Sequence, residues 1–183
     1  MNFSDPLPEA NYPAIFAAAL SAATQRFGAL SLRIPIDVQF HQTGPRIQQY
    51  NGKAVVLLSE GAKTNILTGT YEIAHEAIHY INGVVQIANG LEEGLAVVFS
   101  EDYVLSIMRY NASDNVDSLP KYRKARDLVR SMIGSGPDFA ALRSLTNGSL
   151  SSDVVTADFL INKFPFLTEE EAAFLAKRDP AFR

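Results

Sequence analysis

Hydrophobic residues recur at helical spacing in the first part of the chain and at every second position in the next. Intervals of four, three and four separate the apolar residues Phe16, Leu20, Ala23 and Phe27. This spacing predicts an amphipathic helix over residues 13–27. From Leu32 to Phe40 apolar residues occupy every second position, which predicts a half-buried strand, and Pro35 within it favours a sheet edge or a bulge.

A short apolar run at residues 54–58 follows the turn dipeptide Asn51-Gly52 and predicts a second strand. The polar segment between the two strands, 41–50, fits either a hairpin loop or a short extra strand. Residues 1–69 are therefore expected to hold an N-terminal helix and a small sheet.

The rest of the chain has the periodicity and the capping residues of helices. Thr70 is suited to cap a helix that runs to Asn82, where Gly83 can end it. A helix predicted from Leu91 to about Tyr110 is apolar over most of its circumference, so it belongs in the middle of the domain. Four further helices are predicted after a polar loop, at residues 120–133, 139–145, 152–164 (or 153–164) and 168–177.

Charge and composition exclude several classes of protein. The chain of 183 residues has 20 acidic and 16 basic side chains and a formal net charge of −4, the wrong sign overall for a nucleic-acid-binding surface. It contains no cysteine, so disulfides and thiolate metal ligands are ruled out. No apolar run reaches the roughly 18 residues that a membrane span requires.

The apolar segment 14–23 has the look of a signal-peptide core, but Asp5 and Glu9 precede it and no basic residue does. We interpret it as part of the first helix. We therefore expect a cytoplasmic protein with no nucleic-acid partner and no membrane partner. The sequence leaves the oligomeric state open.

The most informative chemistry lies in the five residues from His75 to His79, which read His-Glu-Ala-Ile-His. Residues four apart on a helix share a face, so these two imidazoles can bind one small cation. Glu76 lies beside them but is offset around the helix, which suits a base acting on a metal-activated water better than a direct ligand. The alternative is a helix whose histidines only form hydrogen bonds at a surface.

A catalytic zinc site has three protein ligands, so the histidine pair needs a third. The next predicted helix begins with Glu92 and Glu93 on largely apolar stripes, where a carboxylate must be paired or bound to metal. For either residue the alternative is an exposed acid stabilised by the helix dipole. His41, the remaining histidine, is interpreted as a loop residue.

The order His-Glu-x-x-His, a short connection and then Glu-Gly-Leu-Ala at the start of a second helix resembles the gluzincin class of zinc metallopeptidases, specifically its small single-domain members. The resemblance implies a zincin-like α+β fold over residues 1–183, mainly helical, with a small mixed sheet before the motif helix. It implies Zn²⁺ ligation within the helices of residues 70–110 and a C-terminal helical part at 111–183. The implied ligands are His75, His79 and Glu93, and the implied general base is Glu76.

The same resemblance implies a residue that stabilises the oxyanion and an edge strand that binds the substrate. Tyr122, followed three residues later by Ala as in similar small members, is the leading candidate for the first role. Its competitors are Tyr103, Tyr110, Arg123 and Arg126. The strand at 54–58 is the expected edge along which a peptide would bind.

Basic residues cluster around Tyr122 on the helix predicted at 120–133. We interpret them as a solvated helix face, with an acidic peptide or a phosphate as the alternative partner. They are Lys121, Arg123, Lys124, Arg126 and Arg130.

The predicted function is that of a zinc-dependent metallopeptidase, which hydrolyses peptide bonds in a peptide or protein substrate with Glu76 as general base. The first alternative is a non-catalytic or regulatory zinc-binding interaction module on the same fold. The second is an interaction protein in which the motif is only structural. The presence of Glu76 favours the peptidase, because a binding module needs no base beside its metal.

Overall fold

Seven helices and a three-stranded sheet make up the part of the chain that the structure describes. The structure is a computed structural model and describes residues 11–28, 36–84, 87–116 and 119–182. The helices are α1 (Tyr12–Phe27), α2 (Ile66–Ile81), α3 (Gly90–Met108), α4 (Pro120–Met132), α5 (Phe139–Leu145), α6 (Ala157–Lys163) and α7 (Glu169–Ala176). The strands are β1 (Ile36–Phe40), β2 (Arg46–Tyr50) and β3 (Lys53–Leu58). The predicted α+β class with mainly helical content is confirmed.

The sheet is mixed, and its strand order is β1-β3-β2. β3 pairs in parallel with β1 and antiparallel with β2. The prediction that residues 54–58 form an edge is wrong, because they lie in the central strand. Every one of these residues is buried, as in a strand covered on both faces. The mostly exposed β2 forms an edge instead.

The segment at 41–50, for which the sequence left two alternatives, contributes the strand β2. Asn51 and Gly52 have positive φ values of 50° and 73°, and they form the two-residue turn that joins β2 to β3. β1 begins at Ile36. The earlier part of the predicted first strand, residues 32–35, lies outside the described residues.

Two helices begin at other residues than expected, because another polar side chain caps each of them. α2 begins at Ile66 and not after Thr70, since the Asn65 side chain accepts hydrogen bonds from backbone amides of the first turn. Thr70 lies inside the helix and is fully buried. α6 begins at Ala157, later than predicted, because Thr156 caps it.

α2 and α3 form the centre of the molecule and carry the site. α3 contacts α2, α4 and α7, and α2 also contacts α1 and the strands β2 and β3. Nearly every residue of α3 from Gly90 to Val104 is buried, which confirms its predicted position. α3 ends at Met108, where Arg109 has a left-handed φ of 57°. No helix in the described ranges is both long and apolar enough to cross a membrane.

A close approach between α3 and α4 brings α4 towards the site. A Cβ atom on Gly94 of α3 would lie 2.5 Å from the carbonyl oxygen of Ala125 on α4. Any side chain at this position would therefore push the two helices apart. Because Glu93 precedes Gly94 and Tyr122 lies about one turn before Ala125, this contact sets the separation of those two side chains.

Candidate metal centre

Three side chains from α2 and α3 converge on one point. His75 Nε2 lies 3.3 Å from Glu93 Oε2, and His79 Nε2 lies 3.7 Å from Glu93 Oε1. The two imidazole ring centroids are 4.9 Å apart. One ligand atom of each residue lies within 4.8 Å of the others, so the group could hold a metal ion.

The distance of 3.3 Å between His75 Nε2 and Glu93 Oε2 matches the ligand spacing of a tetrahedral metal ion, and the distance of 3.7 Å between His79 Nε2 and Glu93 Oε1 is a few tenths of an ångström longer. Bonds of about 2.0–2.1 Å place tetrahedral ligand atoms about 3.3–3.4 Å apart. Glu93 Oε2 is buried and has no hydrogen-bond partner among the described residues, although His75 Nε2 is only 3.3 Å away. That contact therefore lacks hydrogen-bond geometry. A cation between the two atoms would satisfy both.

Glu92 approaches His79 from the opposite side of the imidazole ring. Its Oε1 atom lies 2.7 Å from His79 Nδ1, and the residue is fully buried. When a metal ion is bound at Nε2, a carboxylate at Nδ1 would keep the proton there and leave the Nε2 lone pair for the metal. The sequence left open whether Glu92 or Glu93 is the third ligand. In the structure Glu93 faces both histidines, whereas Glu92 contacts His79 at Nδ1, on the side of the ring away from Glu93.

The proposed alternative of exposed, dipole-stabilised acids at the start of α3 is wrong for both residues. Glu92 is 0% exposed and Glu93 is 5% exposed. The start of α3 is buried because the Asn89 side chain accepts a hydrogen bond from Glu92 N and donates one to the Leu150 carbonyl. The supporting role of Glu92 was not predicted. The signal that could have suggested it was the pair of adjacent acids on a predicted buried helix.

Glu76 has the setting expected of a buried base. The residue is 2% exposed, and its Oε2 atom has no hydrogen-bond partner among the described residues. Burial raises the pKa of this carboxyl group, His79 and His75 oppose the shift, and Glu93 adds to it. The side chain lines the same cleft as the histidines. The carboxyl group therefore holds a proton more readily than an exposed glutamate does.

The acids around His79 outweigh its burial. Burial alone would lower the pKa of this imidazole, but Glu93, the hydrogen bond with Glu92 and the charge of Glu76 raise it to about 10. In the metal-free chain His79 is therefore the cation that balances these carboxylates.

The first half of α2 is held against the end of β3. The Glu72 carboxylate accepts hydrogen bonds from Ser59 N and Ser59 Oγ, at 2.8 and 2.5 Å. Because Glu72 lies three residues before His75, this contact fixes the rotation of α2 about its axis at the level of the first histidine.

Tyr122 at the start of α4 lies beside the cluster. Its ring centroid is 6.4 Å from that of His75, and its hydroxyl donates a hydrogen bond to the Phe182 carbonyl. Burial raises the pKa of this phenol far above its usual range, and the charges of Glu93 and Glu76 add to the shift. The hydroxyl is therefore neutral and able to donate a hydrogen bond at every physiological pH.

The competitors of Tyr122 lie elsewhere. The ring of Tyr103 packs on Phe99 at 5.6 Å, Arg126 forms an ion pair with Glu101 at 3.1 Å, and Tyr110 is 48% exposed. In the described ranges neither these three nor Arg123 lines the cleft that contains the histidines, whereas Tyr122 does.

The cluster opens into a cleft of about 1310 Å³ between the sheet and the two central helices. One wall is the segment from Thr43 to Gln49, which includes most of β2, and the other is the polar face of α2. Apolar side chains of Ile87, Val97 and Val116 line its ends. The strand along this cleft is thus β2, not the segment 54–58.

The basic residues of α4 form ion pairs within the chain. The observed pairs are Lys121–Asp179 at 2.8 Å, Lys124–Glu170 at 3.3 Å, Arg126–Glu101 at 3.1 Å and Arg130–Glu101 at 2.6 Å. Arg123 also has an interaction partner. These charges are already balanced, which weakens the alternative of an acidic or phosphate partner. The His41 ring accepts a hydrogen bond from Thr43 N at 3.1 Å in an exposed turn, as a loop histidine would.

Comparison with known proteins identifies no relative of this chain. No protein-family model, no curated protein and no solved structure matches the chain. What bears on function is therefore the geometry of the site itself, which brings together the five residues predicted from the sequence: His75, Glu76, His79, Glu93 and Tyr122.

Proposed function

We propose that this chain is a zinc-dependent metallopeptidase of the gluzincin type. The observation that carries the proposal is the convergence of three ligand atoms within 4.8 Å of one another, beside the buried Glu76 carboxylate, whose Oε2 atom has no hydrogen-bond partner among the described residues. Two imidazoles and one carboxylate form a donor set that suits Zn²⁺. When bound there, Zn²⁺ would supply a Lewis acid and lower the pKa of a coordinated water to about 7.

Glu76 would move the proton. Its carboxylate takes a proton from the attacking water and later gives it to the leaving amide nitrogen. A pKa raised by burial favours the protonated carboxyl group and therefore suits a residue that takes up a proton before it passes the proton on. The absence of another hydrogen-bond partner for Oε2 among the described residues leaves this oxygen available.

Tyr122 would stabilise the oxyanion that develops on the substrate carbonyl. Its neutral hydroxyl already donates to a peptide carbonyl, that of Phe182. A substrate carbonyl that develops negative charge is a stronger acceptor, so it can replace Phe182 during the reaction. A positioned donor of this kind typically contributes a factor of about 10²–10³ to the rate.

The substrate class we propose is an extended peptide or a flexible segment of a protein. The polar edge strand β2 runs along the cleft, and a peptide can bind there by adding a strand to the sheet. The apolar side chains at the ends of the cleft would receive apolar substrate side chains.

A second candidate function is a metal-binding module that does not hydrolyse peptides. One observation favours it: the candidate oxyanion donor Tyr122 already has an acceptor in Phe182. The module and the peptidase share the metal centre and differ only in turnover.

Metal content per chain separates these possibilities. We would measure zinc by elemental analysis on protein purified without chelator, together with the variants His79→Ala and Glu76→Gln. His41→Ala is the matched control, because it removes the histidine that lies outside the cluster. The proposal expects one zinc per chain in wild type, Glu76→Gln and His41→Ala, and none in His79→Ala.

Hydrolysis of a quenched-fluorescent peptide library is then measured on the zinc-loaded proteins. Cleavage by wild type and His41→Ala but not by Glu76→Gln would support the peptidase. Stoichiometric zinc without cleavage would favour the module. Absence of stoichiometric zinc from wild type, even after zinc is added back, would rule out both.

A further inference from the structure

A second buried polar cluster lies behind His79 and reaches the C-terminal half of the chain. Glu92 contacts His79 through Oε1, and its Oε2 atom is buried with no hydrogen-bond partner among the described residues. Arg143 on α5 is 3% exposed, and its Nη2 atom is also buried without such a partner. The same is true of Nδ2 of Asn82 at the end of α2. One acceptor and two donors are therefore left over in one buried region.

The Arg143 guanidinium is held in place on its other side. Its Nε donates to Asn82 Oδ1 at 3.2 Å, and its Nη1 donates to the Phe27 carbonyl at 2.5 Å and to the Gly28 carbonyl. The carbonyl groups of Phe27 and Gly28 lie at the C-terminal end of α1, which carries a partial negative charge. The guanidinium is thus fixed between the ends of α1 and α2, and Nη2 is left for another acceptor.

A buried guanidinium needs a compensating anion, because an isolated buried charge is strongly unfavourable. Helix-end carbonyls and one amide oxygen supply only part of that compensation. Burial lowers the pKa of Arg143 to about 10, and Glu92 is the acid that opposes this shift. Glu92 in turn is a fully buried carboxylate whose other partner is a histidine. Arg143 and Glu92 form no direct ion pair or hydrogen bond, but each leaves a buried charged atom in this region without a hydrogen-bond partner among the described residues, so the two opposite charges act on each other at longer range.

We propose that Arg143 is a positioning residue for the metal centre: its charge fixes the orientation of the Glu92 carboxylate, which directs His79 Nε2 at the metal. This proposal rests on the proposed function and extends it to α5, about fifty residues away from Glu92 in the chain. It gives the C-terminal helices a role beyond closing the core.

The test compares Zn²⁺ affinity, by competition with a chromophoric chelator, and the visible spectrum of the Co²⁺-loaded protein. The variants are Arg143→Met, Glu92→Gln, their double variant and Arg143→Lys. Leu142→Ala is the matched control, because it disturbs the core packing of the same helix and leaves the guanidinium in place. We expect Arg143→Met and Glu92→Gln each to weaken Zn²⁺ binding by about 10–100-fold.

The double variant should bind Zn²⁺ about as well as Glu92→Gln alone, because the charge that Arg143 orients is already absent. Arg143→Lys should recover most of the affinity lost in Arg143→Met, and the altered Co²⁺ spectrum should appear only in the variants of Arg143 and Glu92. Unchanged affinity in folded Arg143→Met, additive losses in the double variant, or an equal loss in Leu142→Ala would each overturn the proposal.

Folding of each variant is checked by circular dichroism. If Arg143→Met unfolds while the double variant folds, the two charges are coupled as proposed; if both unfold, Arg143 serves the fold alone and the proposal fails. The proposed function is tested separately by wild type. If wild type holds no stoichiometric zinc, both proposals fail. If wild type binds zinc and Arg143→Met binds it with the same affinity, only the proposal for Arg143 fails.

Discussion

Helix α3 buries acidic side chains at two places, and the two places differ in how those acids are satisfied. At its middle, Glu101 accepts from Arg126 at 3.1 Å and from Arg130 at 2.6 Å. At its start, Glu92 and Glu93 each leave one buried oxygen without a hydrogen-bond partner among the described residues. Both regions pay for burying charge. Only the start of the helix depends on histidines, and not on a direct arginine pair, to balance that cost.

The difference separates a structural acid from a candidate metal ligand. Glu101 faces cations that belong to the protein, so its burial is balanced whether or not anything binds. Glu93 faces two imidazole nitrogens that are acceptors in their neutral form, so its burial is balanced by a proton on a histidine or by a metal ion. Burial alone therefore does not identify a site, whereas the identity of the groups that face the buried acid does.

The largest expected effect comes from Glu76, the unpartnered acid that we propose as the base. In Glu76→Gln we expect the rate of peptide hydrolysis to fall by about 10²–10⁴-fold, because an amide cannot take the proton from water. Zinc content should stay at the wild-type value, since Glu76 is not among the three converging ligands. The readouts are initial rates on one cleaved peptide and zinc by elemental analysis. A variant that loses its zinc would instead make Glu76 part of the metal site.

Glu93 and Glu101 allow a matched comparison of two variants, because both are buried acids of α3. Glu93→Gln should weaken Zn²⁺ binding by at least about 100-fold. Glu101→Gln should leave Zn²⁺ binding unchanged and lower the free energy of unfolding by about 3 kcal/mol, because it uncouples the buried side chain from two arginines. Chelator competition and urea titration of the metal-free proteins measure the two quantities.

A crossed result would break the comparison. If Glu101→Gln lost zinc, the ion-paired region would contribute to the metal centre after all. If Glu93→Gln kept zinc at wild-type affinity, the contrast between the two ends of the helix would have no functional meaning.

Tyr122 is expected to have the next largest effect. In Tyr122→Phe the rate of hydrolysis should fall by about 10²-fold, because one donor to the developing oxyanion is removed. Zinc content should not change, since the hydroxyl is not among the converging ligand atoms. Tyr103→Phe is the control, because that ring packs on Phe99 away from the cleft. Equal rates for wild type and Tyr122→Phe would leave the hydroxyl with only its bond to Phe182.

The sequence was sufficient for the features that depend on local spacing. The i, i+4 histidines, the buried circumference of α3 and the separate placement of Glu76 all follow from the helical repeat. The expected helix start at Thr70 was wrong because Asn65, an equally good cap, precedes it. Two polar residues with the same local chemistry compete there, and packing decides between them.

Features that depend on pairing over distance were beyond the sequence. The segment 54–58 was expected at an edge because the resemblance to gluzincins implies an edge strand beside the motif helix. β2, which forms an edge instead, lies in a stretch without clear strand periodicity. Glu92 and Glu93 differ only by 100° around α3, so the angle at which α3 packs on α2 decides which of them faces which ring nitrogen. Arg143 gave no signal, since its partners come from α1 and α2.

The smallest expected effect concerns Glu171 on α7, a partly exposed acid that is satisfied by hydrogen bonds. Its carboxylate accepts from Thr168 N and Thr168 Oγ1, both at 2.9 Å. The bond from the Thr168 backbone lowers the pKa of this carboxyl below 4.5, and the bond from its side chain adds to the shift. A depressed pKa in the folded state means that the contribution to stability is present above the unfolded value and is lost as the pH falls through the folded value.

The melting temperature of Glu171→Gln should therefore lie a few degrees at most below that of wild type at pH 7, and the gap should close as the pH falls through the lowered pKa of Glu171. Glu170→Gln is the control, because that neighbouring carboxylate lies outside the capping box and its ion pair with Lys124 is exposed. A gap that widens at low pH would contradict the sign. Glu93, Glu101 and Glu171 thus differ in the groups that face their carboxylates, and those groups decide whether the acid contributes to stability or to metal binding. Solvent and backbone donors give a small pH-dependent gain, arginines give a large one, and facing imidazoles leave a requirement that a metal ion can meet.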